Sequence, residues 1–424
     1  MSFARFFVDV LTALVASLVC AVPCFGAAAP DNTELVSLVE RALTTHPSAG
    51  AAHAEVEAAR SELSASRWAL FPSVSVESFA DRRSDSDVST AVSVEQPLWS
   101  GGRISATIRQ SDSRLEAALA RRDEVCLDLA QRTVQTYVDL QRLRRRARTL
   151  EGSLAEHRKL VDSMRRRVEQ EISPASELHL AQSRTRQTEI DALQTQAEAD
   201  IALLRLRQLA GDDGLQIQAS LNYREGQHHA SPAELLRAAL DFDPRTRRVA
   251  AEAAIAGAEV SLRKSELMPQ LGVRYRHYLG GGNSSDDQLG LVFRVQADGG
   301  LSRVSAINAA KQREQAATLA IDTATREQQE IVLAALTDNA AAGRRALAGR
   351  EAALAAKSVT DSFLRQFAAG KRTWPEVLNS VRETATAEIN QIDAEAGAVT
   401  SYIRLLLLSG QWQPAEARSA ENNP

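Results

Sequence analysis

The sequence predicts a mainly α fold with a small β part, built as an internal tandem duplication. Three observations lead there. Aromatic residues make up 4% of the 424 residues while apolar residues make up 44%, which suits long packed helices better than a sheet-rich enzyme. Short stretches recur at an offset near 200 residues, the mark of a repeated structural unit. In each half a glycine pair is followed by about 65 residues of helical periodicity.

The repeats fix the order of elements. "ELVSLVERALTTHP" is echoed by "ELLRAALDFDP", and "ALFPSVSVE" by "ELMPQLGVR". "WSGGRIS" returns as "ADGGLSR", "SELHLAQSR" as "EVLNSVRET", and "QLAG" as "LLSG". The first copy spans 27–211 and the second 233–410, joined by a polar linker at 212–232 and followed by a tail at 411–424. Each copy predicts a short helix, then one of about 20 residues ending at Pro72 or Pro269, then a β-hairpin (about 71–99 and 269–297). A long helical hairpin follows, at about 103–209 and 301–408, with its break near 171–175 or 370–375.

The second β-hairpin alternates strictly. Leu271, Val273 and Tyr275 share one face, and Gly272, Arg274 and Arg276 the other. Leu289, Leu291, Phe293 and Val295 then alternate with residues that include Arg294. The first is weaker: Val74, Val76, Val92 and Val94 alternate with serines and glutamates, and Phe79 interrupts the rhythm. The helix after Gly102 carries a stripe of Leu119, Cys126, Leu129, Val134, Tyr137, Leu140, Ala147 and Leu150. Its opposite face holds Arg142, Arg144, Arg145, Arg146 and Arg148, read as solvated. At 1.5 Å per residue such a helix is a rod of roughly 100 Å, which must pack lengthwise on other long helices.

Four strands leave two open edges. An apolar face opposite an arginine-bearing one fits a membrane barrel with a wet lumen, which makes Arg274, Arg276 and Arg294 lumen-facing. Four strands cannot close a barrel, but three chains would supply twelve. The stretch "VSVEQPLWSGGRIS" is then a strand turning into a tunnel helix. Pro97 ends the ladder, Trp99 suits the membrane boundary, and Gly101 and Gly102 allow the sharp turn. Gly299 and Gly300 repeat the junction in the second copy.

Residues 1–26 read as a secretory signal, with Arg5 before an apolar run at 10–22 that is too short to span a bilayer, despite the intruding Asp9. Cys20 and Cys24 lack the small preceding residue that lipid attachment favours, so no N-terminal lipid is expected. Signal removal leaves Cys126, read as a small apolar packing residue.

"QPLWSGG" at 96–102, the duplication and the long helical hairpins resemble the TolC family of outer-membrane efflux and secretion proteins. The resemblance implies a homotrimer without a catalytic site or cofactor. A twelve-stranded barrel in the outer-membrane lipid would continue into an α-helical tunnel across the periplasm. The implied partners are a periplasmic adaptor and an inner-membrane transporter, of ABC or proton-driven type. It further implies a periplasmic gate around "FAAGKRTWPEVLN". There Arg372 ties neighbouring helices, with Glu177 as its acidic partner, and Glu376 opens an acidic ring. Asn379 stands at the ring's second acid and Phe367 where a hydroxyl-bearing aromatic makes a gate hydrogen bond, so both features are altered. Gln170 replaces the glycine of the first copy's turn, with Pro174 supplying the bend. The tip text resembles members serving type I protein secretion more than multidrug efflux.

The net charge of −4 argues against a nucleic-acid partner. His228-His229 lacks metal-ligand spacing, and Asp286-Asp287 reads as a solvated turn. No phosphate loop, nucleophile elbow or HExxH motif occurs. The competing reading is a periplasmic coiled-coil adaptor or scaffold, which leaves two alternating hairpins at equivalent places unexplained.

Overall fold

The computed structural model describes residues 32–80, 88–218, 231–279, 287–295 and 302–413. The proposed signal at 1–26, Gly299, Gly300, His228, His229, Asp286 and most of the linker and tail lie outside them. The two copies carry the same elements in the same order.

Copy one begins with α1 (Thr33–Thr45), capped by Asn32, whose side chain accepts from the amides of Glu34 and Leu35. Copy two begins with α5 (Pro232–Phe242), where Ser231 and Glu234 form a capping box. Each is followed by a 22-residue helix with proline at its start: α2 (Pro47–Trp68) and α6 (Pro244–Ser265). Both end a turn before Pro72 and Pro269, earlier than the sequence placed them. The hairpins are β1 (Ser73–Ala80) with β2 (Val88–Trp99), and β3 (Gln270–Leu279) with β4 (Gln288–Arg294). Next come α3 (Arg103–Glu169) and α7 (Ser302–Ala368), each of 67 residues, and so about 100 Å long. The copies close with α4 (Ala175–Ala210) and α8 (Trp374–Leu408).

The helices form one layer, four columns wide. Nearest the sheet the order is α2, α3, α6, α7; farther away it is α4, α3, α8, α7. Copy one therefore holds one edge throughout, as α2 above α4, and α7 holds the other. The main core lies at the waist. There Leu35, Val39, Leu129, Val134, Tyr137, Leu140, Leu206 and Leu407 are buried together from both copies, each contributing on the order of 1.5–3 kcal/mol. Tyr137 donates to Glu34 (3.1 Å) and accepts from Asn32 (2.8 Å), tying α1 to α3. Burial pushes its hydroxyl pKa up to about 12. Cys126 packs half-buried against this core, as expected.

The last helix of each copy ends in a left-handed glycine, Gly211 (φ 63°) or Gly410 (φ 66°). A Cβ at Gly410 would sit 2.6 Å from the Phe242 ring, so the close return of α8 onto α5 requires glycine.

One expectation is overturned here. The arginine run of α3 is not a solvated face. Arg142 reaches Asp393 (3.1 Å) and Arg145 reaches the buried Glu395 (2.8 Å), both on α8, while Arg144 donates to the Ile217 carbonyl (2.9 Å). Only Arg148 of the five is fully exposed. The face opposite the copy-one core is where copy two packs, and arginine stems cover apolar surface while their heads find carboxylates.

The sheet runs β1-β2-β3-β4, antiparallel throughout, with β2 and β3 joining the copies. Its register separates two faces. Val74, Val94, Tyr275 and Leu289 lie in one cross-strand row, and Ser73, Glu95 and Arg274 in the next. The alternation read from the sequence holds in all four strands, and Phe79, which interrupts it, still pairs with Ser89 in the β1–β2 ladder.

Candidate functional site

Two places carry the chemistry of this molecule: the sheet with its junction to the helices, and the far tip of the helical hairpins. On the sheet the apolar face is the bare one. Val74, Val76, Leu289, Leu291 and Phe293 are 66–75% exposed, while the polar face is more covered. On that face Glu95 accepts from Arg274 (Nε, 3.0 Å), with Arg294 at 3.7 Å, and Ser75 meets Ser93 at 3.1 Å. Arg276 lies on the same face, with a buried Nε that has no acceptor among the described residues. A sheet with apolar side chains on one face and paired charges on the other has the polarity of a lipid-facing barrel wall.

At the strand-to-helix junction Pro97 does not end the ladder: β2 runs on to Trp99, which pairs with Leu271. Pairing of β2 with β3 becomes irregular between Pro97 and Trp99, where proline cannot donate to the ladder. Gly101 (φ 61°) and Gly102 (φ 88°) then reverse the backbone, and Gly102 caps α3. A Cβ at Gly101 would fall 2.3 Å from that of Met268, so the junction packs too tightly for alanine there. Trp99 is half exposed and lines one cavity with Glu95, Gly272 and Arg294.

At the tip, Leu160, Val161 and Met164 of copy one are buried with Ala181, Trp374, Val377, Leu378 and Val381. Trp374 is 2% exposed and tilts against Phe367, centroids 5.2 Å apart. The Arg167 guanidinium lies 4.7 Å from the centre of the Phe367 ring, so the aromatic is held by a cation rather than a hydroxyl. Arg372 stacks 4.2 Å over Phe363, donates to Gln366 (3.1 Å) and pairs with Glu376 (2.6 Å). Asn379 is exposed.

Two expectations change at the tip. Within one chain the partner of Arg372 is Glu376, one helical turn away, and Glu177 forms no ion pair among the described residues. The short i,i+4 reach wins over a partner on another hairpin. The left-handed position of copy one's turn is Glu171 (φ 56°), not Gln170 (φ −91°), and it matches Gly370 (φ 70°) in copy two. In each turn the next residue's amide reaches back five residues, Ile172 to Arg167 and Lys371 to Gln366.

Comparison with known proteins agrees with this geometry. Residues 38–212 match the model of the outer membrane efflux protein family, a span close to the whole of copy one. That stretch is similar to the outer membrane efflux protein family. No functionally curated protein matches it. Among solved structures, the outer-membrane channel OprN superposes with a TM-score of 0.80 at 20% identity, covering 90% of each chain. CmeC of Campylobacter jejuni, an outer membrane channel, gives 0.77 at 15% identity, covering 92% of this chain and 89% of that one. VceC of Vibrio cholerae, an outer membrane protein, gives 0.76 at 16% identity, covering 89% and 96%. At these identities the likeness concerns the fold: a tandem-duplicated channel-tunnel.

The tip carboxylate is strongly held. The Glu376 group accepts from the amide (2.9 Å) and hydroxyl (2.8 Å) of Thr373 as well as from Arg372. These bonds, the Thr373 amide foremost, lower its pKa to about 2. A depressed acid contributes above its ordinary pKa and fails only as pH falls through the folded value. The cap therefore persists at every pH above about 2.

The left-handed Glu171 is a local strain, because a side chain there crowds the backbone by about 1 kcal/mol. Glu171→Gly is expected to raise the stability of the copy-one turn by that order, measured as slower amide exchange across 166–175. Faster exchange there would show that the Glu171 side chain contributes more than its backbone strain costs.

Proposed function

We propose that three copies of this chain, after removal of the signal at 1–26, form the exit duct of a tripartite export system. The sheets close into a twelve-stranded barrel in outer-membrane lipid, and the helical layers close beneath it into a tunnel through the periplasm. A periplasmic adaptor and an inner-membrane ABC or proton-driven transporter meet the tip, and the duct itself is passive. Type I protein secretion is favoured over multidrug efflux, on the likeness of the tip text "RRVEQEISPASEL" and "RTWPEVLNSVRE" to members that serve it.

One observation carries this reading: sheet and helical layer are both four columns wide and open at matching edges. Copy one holds one edge, as β1, α2 and α4, and copy two holds the other, as β4 and α7. A second chain offering β4 and α7 to β1 and α4 makes a head-to-tail contact, which closes into a ring. The edge helices still carry unburied apolar side chains: Ile190, Leu193 and Leu204 on α4, and Leu319, Leu333 and Leu354 on α7. Leu204 and Leu333 lie at the same height, since α4 and α7 both pass the waist there.

Gate residues Arg372, Glu376, Asn379, Glu177 and Phe367 gather at the tip in this scheme. Arg372 and Glu376 cap the second hairpin, Phe367 docks it on the first, and Glu177 is left available to a neighbouring chain. Electron imaging of the mature protein in detergent is expected to give threefold cylinders with a helical section of roughly 100 Å. A chain bearing Leu204→Cys and Leu333→Cys is expected to oxidise to a ladder ending at trimer, and either change alone to give none. Monomeric rods, or protein recovered soluble from the periplasm, would reject the duct and favour the adaptor.

A further inference from the structure

We infer that the barrel is an arginine-lined, anion-preferring exit, with Arg276 and Arg294 setting the preference. The inference rests on the trimeric duct proposed above and adds a selectivity to it. The register places Arg274, Arg276, Arg294, Glu77 and Glu95 on the polar face of the sheet. Arg103, at the start of α3, joins them through Gln270 (3.5 Å) and lines one cavity with Glu95 and Arg294. Among the described residues this face holds four arginines against two glutamates, and three chains triple the excess.

The pairing pattern says which charges remain available. Glu95 is spent mainly on Arg274, through two hydrogen bonds from one guanidinium. Arg294, at 3.7 Å, is a looser second neighbour with nearly half its side chain exposed. Arg276 donates to Tyr278 at 3.3 Å, and its buried Nε has no acceptor among the described residues. Arg276 feels Glu77 across the same face but no carboxylate hydrogen-bonds it among the described residues, so the open side of its guanidinium remains available to an anion or to the anionic group of a passing cargo. Asp287 does not offset the excess, because it sits against His277, a residue of the outward face.

The acidic ring expected at the opposite end is weakened among the described residues. Glu376 is neutralised by Arg372 of its own chain at 2.6 Å, and the exposed Asn379 carries no charge. An ion crossing the duct meets the arginine excess in the barrel, where low-dielectric walls focus the field. The permeants favoured are small inorganic anions and cargo that presents carboxylate or phosphate groups.

The test is reversal potential in planar bilayers under a potassium chloride gradient, with the purified full-length mature protein imaged from the same preparation. Chloride is expected to permeate about twofold or more over potassium. Arg276→Gln with Arg294→Gln should lower that ratio at least about twofold, and Glu95→Gln should raise it. Threefold cylinders whose current prefers potassium, or whose ratio ignores all three changes, would overturn the inference and leave the duct standing. A preparation without threefold cylinders would overturn both.

Discussion

Trp374→Ala will loosen the tip of the tunnel more than any other single change there. The indole is 2% exposed and packs on Phe367, beside Leu160 and Met164 from the other copy. Truncating a buried aromatic of this kind costs on the order of 3–5 kcal/mol. That loss falls on a short cap, because α8 begins at this residue and Thr373, Glu376 and Arg372 depend on its position. The duct should pass more current, and cells carrying it should admit large solutes that the outer membrane normally excludes. Trp374→Phe is the informative companion. It keeps the ring and removes an indole N–H that is buried without an acceptor among the described residues, so it should leave the tip closed. Equal leakiness in both variants would mean that the indole nitrogen, not the packing, closes the tip. Unchanged conductance in Trp374→Ala would remove this cluster from the gate.

Glu395→Ala is expected to have the second large effect, on stability rather than conduction. The carboxylate is buried at the seam between the copies, 2.8 Å from Arg145 on α3 and 3.9 Å from Arg350 on α7, and it accepts from Gln391 (2.8 Å). Removing it leaves Arg145, 29% exposed, without its carboxylate, at a cost of about 1–3 kcal/mol. The thermal midpoint of the protein should fall accordingly. Glu395→Ala with Arg145→Leu should recover part of the loss, since an apolar pair of similar volume avoids the stranded charge. A double variant as unstable as the single one would show that Glu395 acts through Arg350 and Gln391 instead.

Much of this architecture was readable in the sequence, and the reason is periodicity. Helices of 67 residues and strands that largely alternate leave long statistical traces, and the duplication states each trace twice. Gly101 and Gly102 were readable because a reversal between strand and helix leaves little choice of residue. What stayed hidden depends on partners distant in sequence. Nothing in the text near Arg142 or Arg145 points to Asp393 and Glu395, 250 residues away. The same holds for Arg167 on Phe367, and for the pairing of β2 with β3 that makes one sheet of two hairpins. The tip turn misled for a different reason. A left-handed residue falls where the helix happens to end, and Glu171 carries no glycine to announce it. Within one chain Arg372 pairs with Glu376, four residues on, and its expected pairing with Glu177 stays a proposal. Gly299 and Gly300 remain an expectation, since they lie outside the described residues.

The equal length of α3 and α7 has a consequence for how such a chain changes over generations. Both rods run from the sheet to the same tip, and the shorter α4 and α8 return to the same waist. A deletion in one rod would leave its copy short of the tip cluster while the other still reached it. It would also shift the apolar stripe around the helix unless it removed whole turns. Length is therefore a gauge shared by four segments, and it can be reset only by matched changes in both copies. Variation in tunnel reach should come in paired steps of about seven residues, close to two helical turns, while the barrel above and the cap below stay as they are.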